Sequence, residues 1–280
     1  MDAPRRAWRV GPRVRYPGGP QPCTAGRLGD RMPPETATFV DRDLSGARFV
    51  RVDLSGAVMR AVDLQDADLD APWLGEDGGS LVVNGVDVAP LVEAALDARF
   101  PGRGLRRAAD PEGLRTAWAA LERTWEATVR RAEEMRPGAV DASVDGEWSF
   151  AQTLRHLVMA TDTWLGRAVL GLGEPYDPRG LPNAEYATDG HDPAVFSVTD
   201  PGWAEVLQVR AGRVGMVRDF LRDVTPEVLD EPRGNPWAPQ HAETVRSCLH
   251  VILNEEWEHH RYAVRDLDAV AAGVDEEVET

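Results

Sequence analysis

The chain has 280 residues, 42% of them hydrophobic, and a net charge of −16. That length suits a full domain plus a small module. An acidic chain repels phosphate backbones and anionic bilayers, which argues against nucleic-acid and membrane partners; the expected partner is a small-molecule substrate. All 31 basic residues are Arg, so Schiff-base and phosphate-loop lysine chemistry is excluded. Two cysteines, Cys23 and Cys248, make no disulfide framework. With no apolar run near the roughly 18 residues of a membrane span and no signal peptide, the expected location is cytoplasmic.

Residues 1–35 carry seven Arg against Asp2, Asp30 and Glu35, with many Pro and Gly and no apolar periodicity. They read as a disordered leader, with Met32 as a candidate translation start. Residues 36–76 follow a period of five: Phe39, Leu44, Phe49, Leu54, Met59, Leu64, Leu69 and Leu74. Two residues before each stands a mostly small one, and Asp often stands just before, as in the "DLSGA" of 43–47 and 53–57. Neither a helix nor a strand has this period. A square coil does, with one pentad per side and the large residue turned inward. The pattern resembles the pentapeptide-repeat family, which implies a short right-handed quadrilateral β-helix. Eight pentads make about two coils, short for a free-standing solenoid, so packing on the next domain is expected.

Residues 77–108 read as a connector: a short strand and turn around Asn84-Gly85, then a helix from Pro90 to Phe100. From 109 to 269 the pattern is helical. Asp110 caps a first helix with its stripe through Leu114, Trp118, Leu121 and Trp125. Ser149 caps a second, a third runs from about Asp200 to Val224, and a fourth from about Ala242 to Ala269. Four long helices with these loops predict a mainly α four-helix bundle, and residues 270–280 form an acidic tail.

The fourth helix holds the chemistry. Glu256 and His260 interrupt the apolar stripe of Leu249, Ile252, Ala263 and Leu267, four apart and hence on one face. A buried carboxylate and imidazole need compensation, and a metal supplies it. With His156 of the second helix they make two imidazoles and one carboxylate, the donor set of a catalytic zinc that keeps a position open. "NEEWEHHRY" contains a second such pair, Glu255 and His259, in line with Cys248, Val251 and Tyr262. The expected metal ligands are His156, Glu256 and His260, with Glu255 and His259 as the fallback.

"WSFAQTLRHLV" at 148–158 and "NEEWEHHR" at 254–261 resemble the DinB superfamily of four-helix metalloproteins. Glu at the earlier helix-four position resembles the branch that includes the mycothiol-dependent maleylpyruvate isomerase. The resemblance implies a divalent metal, zinc before nickel, a low-molecular-weight thiol, transferase or isomerase chemistry, and a homodimer. The isomerase's separate C-terminal domain has no counterpart here. The alternative is a non-catalytic scaffold that docks a partner through the repeats.

Overall fold

The computed structural model describes residues 37–50, 52–75, 78–184, 186–238 and 240–273; the expected leader and most of the acidic tail lie outside them. Among these residues the fold is dominated by helices. A tight hairpin pairs β1 (Val82–Val83) with β2 (Val86–Asp87). Its turn is the Asn84-Gly85 pair, both at positive φ, the conformation a two-residue hairpin requires. Helix α1 (Ala89–Arg99) follows, then a short 3₁₀ turn at Arg103–Arg107.

The bundle consists of α2 (Pro111–Glu133), α3 (Phe150–Thr161), α4 (Trp203–Asp223) and α6 (Val245–Ala271). A one-turn helix, α5 (Pro226–Leu229), and a small antiparallel pair, β3 (Pro232–Gly234) with β4 (Ala242–Thr244), precede α6. The starts are set by side-chain caps: Asp110 accepts from the Gly113 N–H, Ser149 and Gln152 form a capping box, and Thr244 accepts from the Ser247 N–H. Leu114, Trp118, Leu121, Leu154, Leu157, Leu249, Ile252 and Leu267 lie in the one large core. The second bundle helix does not end at Thr161 but continues through Asp162–Val169 in π geometry. There Gly166 lets the loop return closely, since a Cβ would sit 3.0 Å from that of Pro175.

The connector crosses the bundle at Gly102. Its φ is +102°, and a Cβ there would lie 2.9 Å from the Ala120 Cβ and 3.5 Å from the Trp257 ring. Gly102→Ala is therefore expected to destabilise the protein by about 1–3 kcal/mol through strain and overpacking. A denaturant midpoint equal to that of the parent would contradict this close approach.

The repeats form turns spaced by ten residues. Backbone bonds of 3.0, 2.9 and 3.1 Å close Leu44–Ala47, Leu54–Ala57 and Leu64–Ala67. Asp43, Asp53 and Asp63 each accept from the backbone N–H two residues on. Gly46, Gly56 and Asp66 take the positive φ of the third turn position. The expected inward row does not form a buried core: from Phe39 to Leu69 it is exposed, from 43% at Leu54 to 64% at Phe39, and Leu74 at its end is half-buried. Two coils' length of pentads leaves too few neighbours to cover it. The stretch instead anchors on the bundle through Asp70, which accepts from Arg261 at 2.7 Å and from the Tyr262 hydroxyl at 3.4 Å.

Candidate metal centre

Helix α6 is buried on more than one face. Glu255 and His259 are buried, and so are Glu256 and His260. Successive helical residues point about 100° apart, so the two pairs meet different neighbours. The Glu255 and His259 face turns toward α3 and meets His156. One ligand atom from each of these three lies within 4.8 Å of the others, the one such set among the described residues.

The local structure sets the tautomers. The Leu181 carbonyl accepts from His156 Nδ1 at 3.1 Å, and the Glu255 carbonyl accepts from His259 Nδ1 at 2.8 Å. Each bond fixes the proton on Nδ1 and leaves the Nε2 lone pair for coordination. His156 Nε2 and Glu255 Oε2 are 3.8 Å apart, and both are buried without a hydrogen-bond partner. Burial pushes both imidazoles down to about 4, so they are neutral, and burial pushes the Glu255 carboxyl up to about 7 against the opposing pull of His259. Unpaired polar atoms at this depth are costly. Two neutral imidazoles and one acid fit a divalent ion, which would displace the proton and satisfy all three. Trp148 lies over the pair, 4.6 Å from the His156 ring and 6.2 Å from that of His259.

The structure does not bring Glu256 and His260 to this point. Glu256 accepts from Arg210 of α4 at 2.5 Å, and its carboxyl is pushed up by burial against that guanidinium's pull. His260 Nε2 is 2.8 Å from Thr128 Oγ1, and its ring is edge-on to Trp125 at 5.0 Å. The pair does lie on the apolar stripe, but an arginine and a threonine each engage one of its atoms where a metal was expected, while Glu256 Oε1 and His260 Nδ1 stay buried without a hydrogen-bond partner. Of the expected ligands, His156 joins the cluster, and the fallback pair supplies the other two.

Sequence reasoning missed Arg210. Its signal was its spacing: it stands four residues after the buried Val206 and seven before the buried Val217, on the helix's inner face. Cys248 is wholly buried and its thiol is pushed up to about 12 by burial, so it is no nucleophile.

A four-helix bundle with two imidazoles and a carboxylate converging from facing helices defines a metalloprotein-like helical class. The chain belongs to the DinB superfamily, whose family model matches residues 120–263. A family model described as pentapeptide repeats (8 copies) matches residues 39–71. No curated protein and no solved structure matches the chain. No helix among the described residues is long and apolar enough to cross a membrane.

Proposed function

We propose that the protein is a metal-dependent enzyme that uses a low-molecular-weight thiol in a transfer or isomerisation, with His156, Glu255 and His259 holding zinc. The observation that carries this reading is the convergence of His156, Glu255 and His259, one ligand atom of each within 4.8 Å of the others, with His156 Nε2 and Glu255 Oε2 buried and without partners. A divalent ion there supplies a Lewis acid that holds a thiol in its nucleophilic thiolate form at neutral pH. The chain's own residues do the rest. Leu181 and the Glu255 carbonyl hold the imidazoles in the coordinating tautomer, and Trp148 shields them from water. Among the described residues no cysteine supplies the thiol, because Cys248 is sealed in the core.

Protein purified without chelators is expected to hold about one zinc or nickel per chain. Stripping it should lower the melting temperature, because an ion at a thousandfold over its Kd adds about 4 kcal/mol to the folded state. Negligible metal, with no uptake of added zinc or nickel, would overturn the reading.

The exposed apolar row of the repeats supports a second role, association. A quadrilateral coil would turn that row inward, and a second copy stacked on it would supply the missing neighbours. Sedimentation should then give a dimer that Phe49→Ser with Met59→Ser converts to monomer. A monomeric parent would remove this role.

A further inference from the structure

The donors Glu255 and His259 form part of the lining of a cleft whose opposite side comes from outside the region matched by the DinB superfamily. Pro72 and Trp73, at the end of the repeats, face the fourth helix there, together with Arg103 and Arg107 of the connector. The open cleft offers only about 30 Å³, room for about two water molecules. Two ion pairs hold this side in place, and both fall beside His259 in the sequence. Arg103, almost fully buried, donates to Glu258 at 3.2 Å, and also to Glu93 at 3.0 Å and Asp97 at 2.8 Å. Arg261 donates to Asp70 at 2.7 Å, with Arg265 3.6 Å from the same carboxylate. Glu93 in turn packs on Gly75, where a Cβ would meet its side chain at 3.4 Å. The connector is thus braced from α1 to α6 beside Glu255 and His259.

We infer that the end of the repeats and the connector form a size-selecting wall over the His156, Glu255 and His259 centre, closed by the Asp70–Arg261 and Arg103–Glu258 pairs. This rests on the metal reading above but not on the thiol. A ligand of a few atoms passes the wall; a bulkier one requires Trp73 to move, and Asp70 is the positioning residue that restrains it. Asp70 touches no donor, so its removal changes access and leaves the coordinating set intact.

The test uses the full chain loaded with cobalt(II), whose visible spectrum reports a new ligand. Imidazole and benzimidazole are the probes, alike in donor atom and different in size. Asp70→Ala should tighten benzimidazole relative to imidazole by up to about fivefold, the most that one exposed ion pair gives. Trp73→Ala should do so by about tenfold or more. Asp268→Ala breaks a comparable pair further along α6, that of Asp268 with Arg131 of α2 at 2.7 Å, and should leave the ratio as in the parent. An equal size ratio in the parent, Asp70→Ala and Trp73→Ala overturns the wall, as does a spectrum that neither probe changes in any variant. Failure to take up cobalt at all is seen before any probe is added; it overturns the metal reading and the wall with it.

Discussion

Glu255→Gln is expected to cost metal affinity more than any other single change in the bundle. The substitution keeps the shape and removes the only carboxylate of the donor set. Changes to groups that merely support a ligand cost about 10–100-fold, and loss of the ligand's charge should exceed that. Glu256→Gln should leave affinity almost unchanged, because its carboxylate already faces Arg210. His259→Ala and His260→Ala should divide in the same way. Competition against a coloured chelator measures all four. A larger loss from Glu256→Gln than from Glu255→Gln would return the site to the 256 and 260 pair.

The same two glutamates should exchange rank when the stability of metal-stripped protein is measured. Glu256 and Arg210 are 1% and 7% exposed at their side chains, so either one left alone is a charge without a partner in the core. Breaking such a pair costs about 3–5 kcal/mol. For a domain of this size that lowers the melting temperature by about 10 °C. Arg210→Met should show this loss, and Arg210→Met with Glu256→Leu should recover most of it, since a packed apolar pair replaces the ion pair at little cost. If the double variant melts as low as the single one, the pair is not the source of the effect.

Metal removal also separates the two roles of α6. Metal-stripped protein should still show the full effect of Arg210→Met. The effect of Glu255→Gln on melting should vanish once the metal is gone. Binding to the folded state alone adds stability by mass action, and a residue that acts through the ion has nothing to add without it.

Much of the architecture is set by local rules. Asp110, Ser149 and Thr244 cap their helices through bonds within three residues, and Asn84-Gly85 turns its hairpin because both residues tolerate positive φ. The five-residue period of 39–74 and the turns at Gly46 and Gly56 are equally local. So is the presence of a Glu and a His four apart on one helix. What local rules do not contain is the rotation of that helix among its neighbours. The apolar stripe correctly marked Glu256 and His260 as buried, but burial alone does not say which partner stands opposite. His156 is about a hundred residues away from either pair along the chain, and only the packing of α3 against α6 turns it toward Glu255 and His259. Arg210 and Thr128, on two other helices, take up the remaining pair for the same reason. The exposure of the repeat row and the brace from Asp70 to Arg261 are likewise tertiary facts. A side chain's chemistry is written in the sequence, but the group that compensates its charge or covers its surface is chosen by helix rotation and docking, which depend on the whole core at once.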